Sequence, residues 1–438
     1  MRHQLAIVYF FGLLLYGPLV NAQDSLFTLN QVWGKAKEYN KELKLSKLET
    51  GRSQALLKDA KAERLPEINA SGSYSRLTNM PVYKNGIFHS PQVTPVIGQS
   101  YSVGAEASLN LYRGGKTSRE ISIKKVELEA ALNLQGLSLA ELKFKSASYF
   151  YELIRNLQFK KLTIQEIASE EKQLTEIGSL YKNGTVLKSD LLRAELKISN
   201  QKMLLTEIEN NILLSVQQLN IIMGRPDAAP LTPLVNNIEI PQPYALSYED
   251  YLSIAYQNAF EFRLSENAVA LSNLNLKQVK SNVLPRVNLF SSYGYTYPQS
   301  QFYPYADALF SFGQAGVKVT MPISGFYLNR YKKEAAAIKR DQQVVQHEIK
   351  QDEIRNGVRA AYLHYTEALE RIEIAKKNIV QASETLRILK NSYFNQQSLL
   401  TDLLDAETQL LQSKFDLTSA QVRAQVQFYQ LQKITGKI

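Results

Sequence analysis

Apolar positions recur along this chain at two spacings, and proline marks where one gives way to the other. From Leu29 to Leu65 they follow a helical spacing that stops at Pro66. Ile68–Tyr74 then alternates, with Ile68, Ala70 and Tyr74 on one side and Asn69, Ser71 and Ser73 on the other. Tyr101–Tyr112 does the same, setting Val103, Ala105, Ala107, Leu109 and Leu111 against Ser102, Gly104, Glu106, Ser108 and Asn110. A period of two with one apolar face predicts two half-covered strands. Between them Thr78–Ser100 holds Pro81, Pro91 and Pro95 and is expected to be a long loop. No proline lies between Pro95 and Pro226, which predicts a long helix from Gly115 to Leu180, a turn at Asn183-Gly184, and a return helix ending at Met223-Gly224. Late in the long helix, Leu153, Ile167, Leu174 and Tyr181 share one seven-residue track and Leu157 and Ile164 another, the spacing of supercoiled helices.

The second half repeats this order. Leu65-Pro66-Glu67-Ile68-Asn69 returns as Leu284-Pro285-Arg286-Val287-Asn288, and Gly224 returns as Gly436. Val287, Leu289, Tyr293, Tyr295 and Tyr297 alternate with Asn288, Ser292, Gly294 and Thr296; Ala315, Val317, Val319 and Met321 alternate with Gln314, Gly316, Lys318 and Thr320. The loop Pro298–Ala308 is rich in aromatics, which suits the edge of a bilayer. After Pro322 a second proline-free tract predicts a long helix over Phe326–Tyr393, a second turn and a closing helix. Gly224–Leu246 holds five of the fourteen prolines and reads as an extended linker. The expected organisation is therefore a first repeat over 23–224, a linker over 225–246 and a second repeat over 247–438. In each half the two shorter helices add up to the long one. At about 1.5 Å per residue the long helix reaches on the order of 100 Å, which fits a bundle or tube and no small core.

Composition changes this picture in two ways. Arg2 and His3 precede the apolar run Leu5–Val20, and Val20-Asn21-Ala22 follows with small or permissive residues, so 1–22 has the order of a cleaved secretory signal. A spanning anchor fits less well, because Gly12, Gly17 and Pro18 break the run. No other apolar run approaches the length of a membrane helix, so a membrane span would have to be made of strands. Four strands cannot close a barrel in lipid, where unpaired edges are excluded. Two copies would give eight strands and a nearly filled interior; three would give twelve and an open lumen, and size favours three. A four-stranded sheet in a soluble domain is the alternative.

Other chemistry is sparse. With no cysteine there are no disulfides or thiolates. The net charge of +10 comes from basic residues spread among nearly as many acids, as on solvated helix faces, and no aromatic-interleaved basic cluster marks a nucleic-acid partner. Of the four histidines, His347 and His364 stand too far apart on one helix to share a metal, and no metal or cofactor is expected. Ser169-Glu170-Glu171-Lys172 has the S-x-x-K form of a serine acylase but lies mid-helix without the companion motifs, so the chain is not expected to be an enzyme.

The tips are the informative stretches. Tyr181–Glu195 (YKNGTVLKSDLLRAE) aligns with Tyr393–Glu407 (YFNQQSLLTDLLDAE), Tyr181 with Tyr393, Asp190 with Asp402, Leu191-Leu192 with Leu403-Leu404 and Ala194-Glu195 with Ala406-Glu407. The difference that matters is Arg193, which becomes Asp405. Asp402 and Asp405 are three apart on one helical face, and several chains around an axis would make them a ring of carboxylates. Crowded carboxylates repel, raise some of their pKa values and attract cations. The alternative is local: acids in a helix's first turn complement its dipole, with Ser398 or Thr401 as N-cap.

The duplicated order of short helix, two strands, long helix, tip and return helix resembles the TolC family of outer-membrane efflux proteins. So do the Leu-Pro-x-Ile/Val-Asn strand starts and the tip Gly-x-x-x-x-Ser/Thr-Asp-x-x-x-Ala-Glu around Gly184–Glu195. The resemblance covers nearly all of the chain beyond the signal. It implies a mixed α/β membrane protein: an internally duplicated, long-helix α-barrel with four strands per chain contributing to a trimeric twelve-stranded outer-membrane β-barrel. It also implies a homotrimer in outer-membrane lipid that docks onto a periplasmic adaptor and an inner-membrane pump. By the same resemblance Asp402 and Asp405 fall on the acids of the closed periplasmic gate. Tyr393 and Asp190 fall on a latch between neighbouring coils, with Ser189 as its hydroxyl partner. The docking tips would be Asn183, Gly184 and Thr185 and, in the second copy, Gln396 and Gln397. Two positions depart from the family: Ser398 stands where the best-known member has a gate arginine, and Gln396 replaces a glycine. One charged latch is then missing, and closure depends more on Tyr393. A soluble periplasmic coiled-coil scaffold or adaptor is the rival from another class; it would have no barrel.

Overall fold

A computed structural model describes residues 26–234, 246–301 and 303–438. The expected signal at 1–22 lies outside these residues, as does the linker between 235 and 245. The chain divides into two compact units, and each draws segments from both halves of the sequence: 1–46, 135–262 and 351–438 form one, 47–134 and 263–350 the other.

The second of these units holds a four-stranded antiparallel sheet made of β1 (Glu67–Arg76), β2 (Gln99–Arg113), β3 (Arg286–Tyr297) and β4 (Phe310–Thr320), in the order β1-β2-β3-β4. One hairpin comes from each half of the chain, and β2 and β3 join them. Register aligns the alternation of all four strands. The row Ile68, Ala107, Ser291, Ala315 is followed two residues along by Ala70, Ala105, Tyr293, Gly313, and Leu289 pairs with both Leu109 and Val317. The intervening rows carry Asn69, Glu106, Ser292 and Gln314. One face is thus mainly apolar, interrupted by Ser291 and Ser311, and the other mainly polar. Tyr101 stacks on Tyr297 at 4.8 Å, placing aromatics at the end of the sheet where the hairpin loops begin.

Glycine lets rings lie across the strands. A Cβ on Gly313 would meet the Tyr293 ring at 2.8 Å, and one on Gly316 the Phe290 ring at 3.0 Å. Phe290, Phe310 and Phe312 sit on the polar face, so its alternation is less pure than the pattern of the smaller residues suggested.

Two strand expectations need correction. A bulge between Asn110 and Tyr112 leaves Leu111 outside the paired register, so Tyr112, opposite Val287, takes the apolar-face position assigned to Leu111. The predicted loop 78–100 also carries a small ribbon, Met80–Val82 against Gln92–Thr94.

The helices longer than one turn are α1 (Leu29–Tyr39), α2 (Lys41–Ala62), α3 (Lys116–Lys182), α4 (Lys188–Met223), α5 (Tyr248–Asn258), α6 (Phe260–Lys280), α7 (Arg330–Phe394) and α8 (Leu400–Ile434). A single turn, Gly325–Leu328, stands apart from the long helix expected to begin at Phe326. The predicted single helix before each first strand is broken once, at Asn40 and at Ala259, both with extended ψ (127° and 124°). At the first break the Asn40 side chain accepts a hydrogen bond from Leu43 N at 2.9 Å and so restarts the helix. At the second no side chain announces the break. Both breaks are fitted closely by packing. The left-handed glycines that end the return helices, Gly224 and Gly436, sit against these breaks. A Cβ on Gly224 would lie 2.8 Å from Tyr39 Cβ, and one on Gly436 2.4 Å from the Asn258 carbonyl oxygen.

The core of the unit that holds the tips is a set of coiled-coil seams, including Phe150, Leu153, Leu219 and Met223 in one cluster and Tyr251, Val358, Tyr365 and Leu431 in another. Ile164 and Tyr181, expected on the seam of α3, are exposed (46% and 39%). Among the described residues no helix is long and apolar enough to cross a membrane.

Gly436→Ala should lower the guanidinium unfolding free energy by about 2–4 kcal/mol, combining a left-handed backbone with a clash against main chain. Gly184→Ala, equally left-handed but with nothing within 4 Å of its Cβ, should cost only about 1 kcal/mol. Equal losses in the two variants would remove the packing argument.

Candidate functional site: the helical tips and the charges behind them

The two tips share a backbone. α3 ends with Gly184 at φ +74, and its amide and that of Thr185 return to the Tyr181 and Leu180 carbonyls (both 2.9 Å). α7 ends with Gln396 at φ +62, and its amide and that of Gln397 return to Tyr393 and Ser392 (2.9 and 2.8 Å). A residue in left-handed conformation closes each helix, and at the second tip a side-chain-bearing residue holds it at a cost of roughly 1 kcal/mol. Asn183, Gly184, Thr185, Gln396 and Gln397 are all exposed.

An apolar cluster packs the tips together: Ile177 from α3, Ala194 from α4, Tyr393 from α7, Leu400 and Leu403 from α8. Tyr393 is buried to 6% exposure, and its hydroxyl has no hydrogen-bond partner within the chain. Burial, and next the negative field of Asp190, push its ionisation above the usual tyrosine range. Asp190 is half-buried, Ser189 is exposed, and Ser398 donates to the Leu389 carbonyl at 3.4 Å. The structure therefore gathers Tyr393 and Asp190 into one neighbourhood.

Asp402 and Asp405 both point to solvent. Asp402 Oδ2 accepts a hydrogen bond from Leu399 N at 3.4 Å, so this acid completes the first turn of α8 while remaining exposed. Ser398 and Thr401, the other N-cap candidates, are not at the cap position, which Leu399 occupies.

Behind the tips lies a charged cluster that hydrophobic periodicity missed. Lys197 of α4 donates to Glu407 Oε2 (2.8 Å) and to the Leu404 carbonyl (3.0 Å), and its Nζ lies 3.3 Å from Glu170 Oε1 of α3. The side chains of Lys197, Glu170 and Glu407 are only 12%, 4% and 7% exposed. Glu166 joins them, and one carboxylate oxygen from each of Glu166, Glu170 and Glu407 lies within 4.8 Å of the others. Lys197 stands among them as a tethered cation. Burial pushes the Glu170 carboxyl up to about 7 despite Lys197, and burial followed by Glu407 raises Glu166. Thr163, Glu170 and Gln173 thus hold buried places on α3. Glu170 belongs to the S-x-x-K stretch set aside as chance; only its spacing from Ile177 in the seam could have pointed inward.

Residues 32–225 and 251–437 match the family model described as Outer membrane efflux protein. The chain belongs to the outer membrane efflux protein family. The two matched segments correspond to the two halves. No curated protein sequence matches the chain. Its fold is similar to that of CusC, at TM-score 0.80 and 18% identity, over 93% of this chain and 92% of that one. It is similar to VceC of Vibrio cholerae at TM-score 0.77 and 17% identity, over 93% and 96% of the two chains. The open state of MtrE from Neisseria gonorrhoeae gives TM-score 0.76 and 18% identity, over 93% and 88%. As a member of this family the protein is an efflux-system channel component of the outer membrane.

The raised carboxyl of Glu170 sets the sign of a pH effect. Stability from the neutral form is fully present below 4.5 and is lost as pH rises through about 7. Melting temperature should therefore fall from pH 5 to pH 8, and Glu170→Gln should flatten that slope; an identical slope in the variant would assign the effect elsewhere.

Proposed function

We propose that three copies of this chain form the exit duct of a tripartite efflux or secretion system. It carries cargo handed over by a periplasmic adaptor and an inner-membrane pump, and makes no covalent change in it. The observation that carries this reading is the sheet: one apolar face in register across four strands, with β1 and β4 left as open edges. Lipid admits such a sheet only once β4 of one copy pairs with β1 of the next, and three copies make a twelve-stranded barrel with a lumen. The helices offer matching seams. Leu192, Leu196, Met203, Leu214 and Ile221 recur on one face of α4, and Ile338, Val345 and Ile349 on one face of α7, all exposed within a single chain. A second copy would cover them as coiled-coil partners.

In this reading residues 1–22 are a cleaved signal, and 23–224 and 247–438 are repeats joined by the linker 225–246. Asp402 and Asp405, exposed on α8, form the carboxylate ring of the periplasmic gate. Tyr393 latches to Asp190 of a neighbouring coil, with Ser189 and Ser398 beside it. The exposed turns at Asn183–Thr185 and Gln396-Gln397 meet the adaptor. A tyrosine hydroxyl buried without a hydrogen-bond partner, with Asp190 close enough to act on its ionisation, supports the latch, since such a group gains most from an acceptor brought within reach. The rival, a soluble periplasmic scaffold, leaves the apolar face of the sheet without an occupant.

Purified full-length protein should run as a trimer in mild detergent and conduct in planar bilayers. Replacing Asp402 and Asp405 together with Ala should raise the half-blocking concentration of divalent cations roughly tenfold. Monomeric, water-soluble material would sink the duct; conductance with unchanged block would sink only the ring. Tyr393→Phe, which loses no hydrogen bond within the chain, should leave monomer packing intact and raise basal conductance; a silent variant would remove the latch.

A further inference from the structure

Register brings two arginines face to face where the sheet meets its helices. Beyond the bulge, Tyr112 pairs with Val287 and Arg113 with Arg286. Directly opposed side chains share a face with Cβ atoms about 5 Å apart, and like charges there repel. Val287 belongs to the apolar face, so Arg113 and Arg286 fall on the polar one. Gly114 and Gly115 then turn the chain with φ of +65 and +75, and α3 begins at Lys116 with no acid in its first turn. Arg119 folds back to donate to the Gly114 carbonyl, and a Cβ on Gly115 would lie 3.0 Å from its Nη1. The Lys116 ammonium is held below the usual lysine range, by burial first and then by Arg286, Arg113 and Arg119 in that order.

Four cations therefore converge at the positive end of a 67-residue helix. Among the described residues the acid at ion-pair distance is Glu63, 3.6 Å from Arg113. Glu120, the nearest acid on α3, accepts a hydrogen bond from Gln278 at 2.8 Å and lies 3.8 Å from Lys124. Repulsion within the group is left for an anion to relieve, and guanidinium forks match the paired oxygens of phosphate-type groups.

We propose that Arg113, Lys116, Arg119 and Arg286 form an oxyanion-binding site on the polar face of the sheet, taking phosphate-type groups carried by transported solutes. Its place in a lumen rests on the duct reading, which would set three such sites around the inner end of the barrel. A phospholipid headgroup carries the same chemistry, but it would approach from the apolar face bearing Tyr112, Val287 and Val319.

The test is thermal unfolding of the purified full chain in uncharged detergent, with inorganic pyrophosphate compared against chloride at matched ionic strength. Pyrophosphate should raise the wild-type melting temperature by about 2–4 °C, and Arg113→Gln/Arg286→Gln should abolish that shift. The double variant should itself melt above wild type in chloride, because a like-charge pair has been removed. No shift in wild type, or an equal shift in the variant, would overturn the site. Stabilisation by a short-chain phosphatidylglycerol but not by pyrophosphate would overturn the solute assignment. Because the readout needs no conductance, a failure of the duct would show separately in the bilayer measurement.

Discussion

A sheet with two open edges and one apolar face is the constraint on which everything else depends. Its strands are long enough to cross a bilayer at the tilt barrels adopt, and their register keeps every apolar row on the same side. In water that face would have to be covered; in lipid it is the edges that must be paired. A single chain can do neither, because among the described residues the two hairpins are its only strands of that length. Side-by-side repetition of identical copies, as proposed above, would satisfy both demands with four strands per chain. The glycines beneath Tyr293 and Phe290 serve the same end, letting rings lie flat across neighbours where another side chain would push them out.

In the other compact unit the work is done by coiled-coil seams, and these are unusual in what they bury. A core of Leu and Ile alone tolerates slippage by a turn at modest cost. A seam carrying Lys197 between Glu170 and Glu407 does not, because any other register leaves a charge in apolar surroundings without its partner. The ionic cluster also ties α8 of the second half to α3 and α4 of the first, so the halves are joined through charges as well as through the apolar cluster at the tips. The glycine caps at Gly224 and Gly436 complete this unit by fitting against the breaks at Asn40 and Ala259.

The tips satisfy their own backbone while keeping polar groups exposed. Asp402 satisfies a backbone amide of its own helix while keeping its charge exposed. Gln396 accepts a left-handed backbone that glycine would take without strain, and places an amide side chain on an exposed turn. Tyr393 closes the apolar cluster with its ring and leaves its hydroxyl without an internal acceptor.

Much of this was legible from the residues in order. Alternation in Ile68–Tyr74 and Val287–Tyr297, the proline-free tracts and the matched tips determined the elements, their duplication and the turns at Gly184 and Gln396, because each depends on neighbours within a few residues. Folding in three dimensions decided the rest. The bulge that moves Tyr112 into the place of Leu111 appears only when β2 meets β3, since register belongs to a pair of strands. The break at Ala259 lies against Gly436, far along the chain, at a place where any side chain would meet the Asn258 carbonyl. The burial of Glu170 and Lys197, and the opposition of Arg113 to Arg286, join charges that look solvated in sequence; a charge declares its surroundings only once distant segments have closed around it.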